Sequence, residues 1–295
     1  MRWSEGFIAV DWGTTNRRAY LLGPRGERLD EMEDEAGILA VAKGGFDAAV
    51  ATLRSRLGDR PMLMAGMIGS NRGWIEAAYV PCPAGIELIA EAICWVEPGR
   101  IGIVPGLSWS EGEHADVMRG EETQIVGAVA AGMVGADATI CHPGTHNKWV
   151  RLEVGRVAAF RTVMTGEIFN LLREHSILAD LLAAPVEPGA DFEAGVRHGL
   201  GHDDLTSELF AVRARVLLGK AQREQAASYT SGLLIGADLR TGLRFAGEGG
   251  IAVMGRPELT GLFAAALAVA GRETKIIDGE QAFVAGALHL AERLQ

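Results

Sequence analysis

One short polar turn occurs twice in this chain, each time between two apolar runs. The first copy reads Gly-Thr-Thr-Asn-Arg at residues 13–17, and the second reads Gly-Thr-His-Asn-Lys at residues 144–148. The flanking apolar runs cover residues 7–12 and 18–22 around the first copy, and residues 138–142 and 149–152 around the second. Short apolar runs separated by a glycine-containing turn are typical of β-hairpins. The repetition therefore predicts two similar half-chains, each of which begins with a strand, a tight turn and a second strand.

The composition of the two turns favours phosphate binding. Glycine allows a backbone to approach a ligand closely, while threonine and asparagine side chains supply hydrogen-bond donors. Arg17 and Lys148 add positive charge at the end of each turn. Each turn alone is a common hairpin turn, but the matched pair predicts a phosphate clamp with one turn on each side. The predicted phosphate-binding residues are Gly13, Thr14, Thr15, Asn16, Gly144, Thr145, His146 and Lys148.

Composition and charge exclude several classes of protein. The chain has 295 residues, of which 48% are hydrophobic and 22% charged, so it can bury a sizeable core in one large domain or two smaller ones. A net charge of −10 without a basic stripe argues against a nucleic-acid partner. The longest apolar stretches, such as residues 262–270, are too short to span a bilayer, and no secretory leader is recognised. No membrane partner is therefore expected.

The cysteines indicate a reducing environment. Cys82, Cys94 and Cys141 are odd in number and widely spaced, which predicts a reduced, cytoplasmic protein. A transition-metal site at His142 and His146 is not expected, because the Pro-Gly pair between them breaks any helix and no second cluster completes four ligands. The sequence leaves the oligomeric state open, a homo-oligomer included.

Apolar periodicity extends the pattern into alternating strands and helices. Strands are predicted at residues 28–35, 61–65, 101–105, 157–163, 251–254 and 275–277, and helices at 46–57, 121–133, 260–270 and 281–294, with a long helical region over 166–245. This order implies mixed β-sheets flanked by helices. We therefore predict an α/β fold of two lobes, residues 1–120 and 121–295, with the active site in a cleft between them.

Asp11 lies at the end of the first predicted strand, two residues before the first turn. A carboxylate there can hold Mg²⁺, directly or through water, beside the phosphates that the turn would bind. The alternative is that Asp11 only caps the hairpin turn. The matched turns favour the metal, so Asp11 is the candidate magnesium ligand and one of two candidate catalytic residues.

The second candidate catalytic residue is Glu121, at the start of the helix that opens the second half. Acidic residues are favourable in a first helical turn because of the helix dipole, and this effect alone explains the presence of Glu122. A carboxylate that faces the cleft could also accept a proton from a substrate hydroxyl as it attacks a phosphorus atom. We favour Glu121 because it lies nearer the preceding loop and glycine, and the alternative of Glu122 stays open.

Further candidate residues lie in three other segments. Ser70, Asn71 and Arg72 belong to a glycine-rich loop, in which the guanidinium could pair with a substrate carboxylate unless the loop is simply exposed surface. Arg119 is the next candidate for that contact. Gly255 follows a predicted strand at a point where a nucleotide base or ribose could pack.

These segments resemble the motifs of the sugar kinase and actin superfamily, whose members have two ribonuclease-H-like lobes. Residues 9–16 resemble its first phosphate motif and residues 142–148 its second, and residues 253–255 stand in the place of its adenosine motif. Residues 120–124 are similar to the segment that carries the catalytic base in glycerol-kinase-like members, with Glu in place of Asp. The resemblance implies that ATP is the phosphoryl donor.

Longer segments resemble one family, 2-dehydro-3-deoxygalactonokinase, over nearly the whole chain. They are residues 64–74, 117–124, 143–146, 160–167 and 231–237. The resemblance implies transfer of the ATP γ-phosphoryl group, with Mg²⁺, to the 6-hydroxyl of the sugar acid 2-dehydro-3-deoxy-D-galactonate. The product would be 2-dehydro-3-deoxy-6-phosphogalactonate, within bacterial galactose or galactonate breakdown.

Two other functions are compatible with the same fold. An exopolyphosphatase or guanosine-polyphosphate phosphatase has a similar Gly-x-Glu-Glu segment and would release phosphate without ATP or a sugar. A non-enzymatic sugar sensor is the second alternative. Such relatives usually carry an added DNA-binding segment, whereas the first predicted strand here starts within a few residues of Met1.

Overall fold

The computed structural model describes residues 3–247 and 249–294, in which strands and helices alternate along the chain. The strands are β1 (Phe7–Trp12), β2 (Arg17–Leu22), β3 (Arg28–Asp34), β4 (Met62–Gly66), β5 (Tyr79–Pro81), β6 (Cys94–Glu97), β7 (Ile101–Ile103), β8 (Gly106–Glu111), β9 (His114–Met118), β10 (Ala138–His142), β11 (Asn147–Glu153), β12 (Arg156–Val163), β13 (Ile251–Gly255) and β14 (Thr274–Asp278). The alternation confirms the predicted α/β class.

The helices fall where apolar periodicity predicts them, with α2 as an addition. They are α1 (Phe46–Leu57), α2 (Ile86–Glu91), α3 (Glu121–Ala130), α4 (Thr165–His175), α5 (Ala190–Gly201), α6 (Leu205–Leu217), α7 (Ala226–Phe245), α8 (Pro257–Val269) and α9 (Gly279–Ala291). The long helical region predicted over 166–245 is divided into α4 to α7. Within the described part of the chain, no helix is both long and apolar enough to cross a membrane.

Two mixed sheets repeat one strand order. The six-stranded sheet has the order β3-β2-β1-β4-β7-β6, and the five-stranded sheet has the order β12-β11-β10-β13-β14. In the first sheet, β4 is parallel to β1 and β7 is parallel to β4. In the second sheet, β13 is parallel to β10 and β14 is parallel to β13. The repeated order confirms the two similar mixed-sheet halves that the twin turns predict.

The chain packs into two compact units. The first contains the residues up to Asp137, the segment Leu152–Ala159 and the residues from Gly279 onward, whereas the second contains Ala138–Arg151 and Phe160–Asp278. The division into functional lobes at residue 120 stays a prediction, and the compact units differ from it. They differ because α9 packs against α3 and therefore returns to the first unit.

Each unit has its own apolar core beneath its central strands. Val10, Trp12 and Met64 are buried in the first core, and Trp149 and Val253 are buried in the second. Strands in the middle of a sheet are covered on both faces, which explains why β1 and β4 read as nearly continuous apolar runs. These runs made both strands recognisable in the sequence.

Two helix pairs approach each other at glycines. α3 and α9 meet at Gly127 and Gly286, where an added Cβ would lie 2.0 Å from a carbonyl oxygen of the other helix. The second pair, α5 and α7, meets at four glycines where an added Cβ would lie 2.1–2.4 Å from backbone oxygen, namely Gly195, Gly199, Gly232 and Gly236. The contacts hold the start of α3 and one face of α7 in fixed positions within their own units.

A third sheet, of order β5-β8-β9, has no counterpart among the predicted strands. β5 has only three residues, and β8 and β9 are partly exposed, so none of them forms a continuous apolar run. In this sheet β8 pairs antiparallel with β9. The sheet matters for function because β9 ends at Met118, directly before Arg119 and the start of α3.

Candidate active site

The first predicted phosphate turn is held by the segment that follows β3. The carbonyl oxygens of Gly13, Thr14 and Thr15 accept N–H groups of residues 37–39 over 2.9–3.2 Å. A side chain at Gly37 would prevent this contact, because a Cβ there would lie 2.3 Å from the carbonyl carbon of Thr15. Thr14 and Thr15 are themselves exposed, so the backbone of the turn is fixed while their hydroxyls can reach a ligand.

Asp11, Gly66 and Gly120 come together where β1 and β4 end and α3 begins. A Cβ at Gly66 would lie 3.4 Å from Asp11 Oδ1, and a Cβ at Gly120 would lie 3.3 Å from the Cα of Gly66. Gly66 and Gly120 have φ values of 95° and 109°, a region that glycine adopts more readily than other residues. The candidate magnesium ligand thus lies beside the residues that precede the candidate base, Glu121.

The two glutamates at the start of α3 have different surroundings. Glu121 is partly exposed, and one of its carboxylate oxygens accepts the N–H of Arg119 at 3.2 Å. Glu122 has no exposed surface, and its Oε2 accepts the N–H of Gly120 at 2.6 Å. Burial, together with the neighbouring charge of Glu121, raises the pKa of the Glu122 carboxyl to about 8.

Glu122 therefore does more than complement the helix dipole from the surface. Its bond to Gly120 satisfies one of the N–H groups that the start of a helix leaves unpaired, as expected of an acidic residue there. Its Oε1, however, is buried and has no hydrogen-bond partner among the described residues. A buried carboxyl with an unpartnered oxygen favours the protonated form, which leaves Glu121 as the accessible carboxylate of the pair.

The loop after β4 contains the candidate substrate-binding residues. Ser70 is buried, and its hydroxyl donates to the carbonyl of Met67 at 2.7 Å and accepts the N–H of Arg72 at 3.2 Å. Asn71 and Arg72 are exposed. The Ser70 hydroxyl thus holds the loop in shape, and the side chains of Asn71 and Arg72 are the ones that a ligand can reach.

The guanidinium of Arg119 supports the same loop. Its Nη2 donates to the carbonyl of Ala77 at 2.7 Å, and its Cζ lies 4.4 Å from the ring centroid of Tyr79. A Cβ at Gly69 would lie 2.9 Å from Nη1. Among the described residues, Nε and Nη1 are buried and have no hydrogen-bond partner. Because protein atoms cover both nitrogens, this arrangement favours support of the loop, and the predicted contact with substrate stays a prediction.

The second predicted phosphate turn is held by groups of its own unit. Asn147 Oδ1 accepts the N–H of Gly144 at 2.7 Å, and the carbonyl of Thr145 accepts the N–H of Glu167 at 3.0 Å. His146 is half exposed, and its Nε2 lies 2.5 Å from a carboxylate oxygen of Glu167. The side chains of Thr145 and His146 therefore stand at the surface of a turn whose backbone is fixed.

The basic residues that follow the two turns have different partners. Lys148 is buried beside the second turn, with Nζ 3.5 Å from the carbonyl oxygen of His146. Arg17 is also buried, but its Nε and Nη2 donate to the two carboxylate oxygens of Asp34 at 3.2 and 2.6 Å. The expectation that Arg17 offers charge to the first turn stays a prediction, and the structure pairs this guanidinium with Asp34, which lies opposite it in the β2–β3 pair.

Gly255, the predicted nucleoside contact, ends β13 next to the second turn. It has a φ of 149°, and a Cβ there would lie 3.5 Å from the carbonyl oxygen of Pro143, the residue before Gly144. This position is also the end of a parallel strand, immediately before α8. Ligands of open α/β sheets bind at such carboxyl ends of strands.

Sequence reasoning missed one acidic residue of this unit, Asp238 on α7. It is 1% exposed and accepts hydrogen bonds from Trp149 Nε1 at 2.7 Å, from Thr165 Oγ1 at 2.5 Å and from Asn147 Nδ2. Burial raises the pKa of this carboxyl, and the three hydrogen bonds oppose the rise. One signal in the sequence points to it, an acid within an otherwise apolar helical segment at residues 232–239.

The residues around Asp11 fit a magnesium ion that sits beside phosphates. Within residues 3–247 and 249–294, no three His, Cys, Asp or Glu side chains are grouped so that they could hold a metal ion. Magnesium needs fewer protein ligands in such sites, because it keeps several waters and binds one or two carboxylates together with substrate phosphates. A single carboxylate at the end of β1 meets that requirement.

Comparison with known proteins decides the family. The sequence model of 2-keto-3-deoxy-galactonokinase matches residues 11–290. The chain belongs to this family. It is 39% identical over 291 residues to the 2-dehydro-3-deoxygalactonokinase of Escherichia coli (strain K12), with 97% of both chains covered. It is 36% identical to a probable 2-dehydro-3-deoxygalactonokinase of Rhizobium meliloti (strain 1021), with 95% of this chain and 94% of that protein covered.

A solved structure supports the same conclusion. The crystal structure of a proposed 2-dehydro-3-deoxygalactonokinase from Sinorhizobium meliloti matches with a TM-score of 0.91 and 35% identity, over 97% of this chain and 98% of that one. Membership of the family makes the chain a kinase, a phosphotransferase with an alcohol acceptor. It favours this activity over the phosphatase and the sugar sensor.

Proposed function

We propose that the chain transfers the γ-phosphoryl group of ATP to the 6-hydroxyl of 2-dehydro-3-deoxy-D-galactonate. The products are 2-dehydro-3-deoxy-6-phosphogalactonate and ADP, formed in the cytoplasm during galactose and galactonate breakdown. The observation that carries this proposal is the extent of the family match, because residues 11–290 include every residue that we assign to the site. Two relatives named for this activity align over nearly their whole length.

The two glycine-threonine turns bind the ATP phosphates. The exposed hydroxyls of Thr14 and Thr15 and the exposed side chain of Thr145 support this assignment, since each stands on a backbone that is held by hydrogen bonds. Preorganised donors of this kind bind phosphate without a further ordering cost. Gly255 leaves room for the nucleoside next to the second turn.

Asp11 positions Mg²⁺ beside the phosphates of the first turn. The ion, when bound, supplies charge neutralisation and orients the phosphoryl group. The position of Asp11 at the end of β1, next to Gly66 and two residues before the first turn, supports this role.

Glu121 accepts the proton of the 6-hydroxyl as the hydroxyl oxygen forms a bond to the γ-phosphorus. The bond from that phosphorus to the β–γ bridging oxygen breaks at the same time, and ADP leaves with the electron pair. The exposure of Glu121 and its position directly after Gly120 support this assignment. Positioning of the reactants contributes most of the acceleration in phosphoryl transfer, and the base adds to it.

Asn71 and Arg72 recognise the carboxylate of the sugar acid. A guanidinium can bind a carboxylate through two parallel hydrogen bonds, and an exposed loop with a fixed backbone can present one. The internal hydrogen bonds of Ser70 and the support from Arg119 favour this arrangement. Arg119 therefore contributes to the substrate site through the loop.

The proposal is tested by a phosphorylation screen of 2-keto-3-deoxy sugar acids with ATP and Mg²⁺. We expect ADP release that depends on 2-dehydro-3-deoxy-D-galactonate, and a product phosphorylated at carbon 6 by ³¹P NMR. Polyphosphate and guanosine tetraphosphate serve as competing substrates without a sugar. Release of phosphate from either of them, with no sugar-dependent ADP, would overturn the kinase assignment in favour of the phosphatase.

A further inference from the structure

The buried carboxylate of Asp238 joins the two segments that hold the second phosphate turn. Asn147 and Trp149 belong to β11, which leaves the turn, and Thr165 begins α4. All three donate a side-chain hydrogen bond to Asp238, which lies 73 to 91 residues away from them in the chain.

Each of these segments in turn holds the backbone of the turn. The bond from Asn147 Nδ2 to Asp238 orients the amide so that Oδ1 accepts the N–H of Gly144. On the other side, a Cβ at Gly166 would lie 2.5 Å from the carbonyl oxygen of Gly144, and the N–H of Glu167 donates to Thr145. A shift of Asp238 would therefore reach the turn from both sides.

The packing of α7 leaves Asp238 little freedom to move. The helix touches α5 through four glycines, and a Cβ at Gly242, one turn after Asp238, would lie 1.9 Å from the indole of Trp149. That glycine allows the indole to lie against the helix, so its Nε1 reaches the carboxylate. The glycine contacts thus hold the backbone of α7 in place, and the three side-chain hydrogen bonds hold the carboxylate itself.

We infer that Asp238 is a positioning residue for ATP, which fixes the turn at Gly144, Thr145 and His146 without touching the nucleotide. The inference rests on the proposed function, because it assumes that this turn binds the ATP phosphates. A buried carboxylate that accepts three donors loses its geometry when it is replaced, and a displacement of about 1 Å in a binding group can cost on the order of 10²-fold in rate.

The test compares Asp238→Asn with Leu239→Ala, its neighbour on α7. Leu239 is fully buried in the apolar core and takes no part in the hydrogen bonds of Asp238, so its truncation measures loss of stability without removing any of these hydrogen bonds. We expect Asp238→Asn to raise the KM for ATP about tenfold or more, with a change in the sugar-acid KM of less than about twofold. Leu239→Ala should lower the thermal midpoint at least as much and leave both KM values within about twofold of wild type.

Thr165→Val provides a second variant, which keeps the carboxylate of Asp238 and nearly the shape of the side chain at position 165. It removes one donor, so we expect a smaller rise in the KM for ATP in the same direction, of about threefold. If Asp238→Asn does not fold, Thr165→Val carries the comparison with Leu239→Ala. Equal KM changes for ATP and for the sugar acid in these variants, or equal ATP effects in Leu239→Ala, would overturn the inference.

Hydrogen exchange separates this inference from the proposed function. The amides of residues 144–147 should exchange faster in Asp238→Asn or Thr165→Val than in wild type, and not in Leu239→Ala. Unchanged exchange at the turn overturns the positioning role even if the enzyme is an active kinase. A different result is faster exchange in these variants while the wild-type protein shows no ATP-dependent phosphorylation. That result would support the positioning of the turn by Asp238 and overturn the assignment of the turn to ATP.

Discussion

The backbone N–H of Gly120 donates to Oε2 of Glu122 over 2.6 Å, so the first turn of α3 closes on a carboxyl group that is fully buried. The adjacent Glu121 is partly exposed. Two neighbouring glutamates of identical chemistry thus have different surroundings, one buried inside the helix start and one partly exposed at its surface. This difference makes the identity of the catalytic base an experimental question with a matched control.

Glu121→Gln should lower kcat on the order of 10²–10⁴-fold, because glutamine keeps the shape of the side chain but cannot accept the proton. The KM for ATP and the thermal midpoint should stay near their wild-type values. Steady-state kinetics with saturating ATP and sugar acid measure the effect. Glu122→Gln is the control, and it should retain most of the activity. An inactive Glu122→Gln enzyme would show that Glu122 is the base. Full activity in both variants would show that neither glutamate of this segment is the base.

The buried Glu122 should make the stability of the fold depend on pH. Its pKa is about 8 in the folded chain and is expected near the ordinary value of 4.5 after unfolding. Between these values the folded state holds a proton that the unfolded state has released, so the stability contributed by Glu122 is fully present below about pH 4.5 and is lost as the pH rises towards 8. The contribution of this group should fall on the order of 1 kcal/mol per pH unit across that window.

Urea unfolding of wild type and Glu122→Gln between pH 5 and 8 measures this contribution. Glutamine cannot ionise, so the variant should gain stability relative to wild type as the pH rises. A difference between the two proteins that is constant across the range would show that Glu122 does not change its protonation on folding. Glu121→Gln removes the neighbouring charge that helps to raise the pKa of Glu122, so this variant should show a weaker pH dependence than wild type.

ATP with Mg²⁺ should stabilise the folded chain through the two phosphate turns. At a hundredfold excess over its Kd the gain should be about 2.7 kcal/mol, which a thermal melt detects. Thr15→Val removes an exposed hydroxyl from the first turn and should reduce the shift. Thr52→Val removes an exposed hydroxyl from α1 and should not. A melt that ATP and Mg²⁺ leave unmoved would count against nucleotide binding at the turns.

Substitutions of Arg72 and Arg119 should distinguish binding of the sugar acid from support of the loop. Arg72 is exposed, so Arg72→Ala should raise the KM for the sugar acid strongly, with little change in the KM for ATP or in the thermal midpoint. Arg119→Ala removes the contacts to Ala77 and Tyr79 and should lower the thermal midpoint as well. If Arg119→Ala alone raises the sugar-acid KM and leaves stability unchanged, the carboxylate contact belongs to Arg119.

The α3–α9 contact should tolerate no side chain larger than hydrogen at Gly286. An added Cβ would lie 2.0 Å from the carbonyl oxygen of Thr123, so Gly286→Ala should destabilise the fold by about 1–3 kcal/mol or more. Gly261 lies in α8 with open space around it, and Gly261→Ala should stabilise by about 0.5–1 kcal/mol through helix propensity. Chemical denaturation of the two variants should therefore show shifts of opposite sign. Unchanged or increased stability in Gly286→Ala would mean that the helix spacing does not depend on Gly286.

The sequence alone determined the α/β class, the repeated hairpins, the family and the residues of both turns. It could do so because central strands are buried on both faces and read as apolar runs, and because a tight turn needs glycine and small polar residues at adjacent positions. Tertiary structure decided what each charged residue faces. It paired Arg17 with Asp34, buried Glu122 beside the partly exposed Glu121, and brought Asp238 to three donors that lie 73 to 91 residues away in the chain. These outcomes depend on strand register and on helix approach at glycines, which are properties of distant segments, so no local pattern in the sequence specifies them.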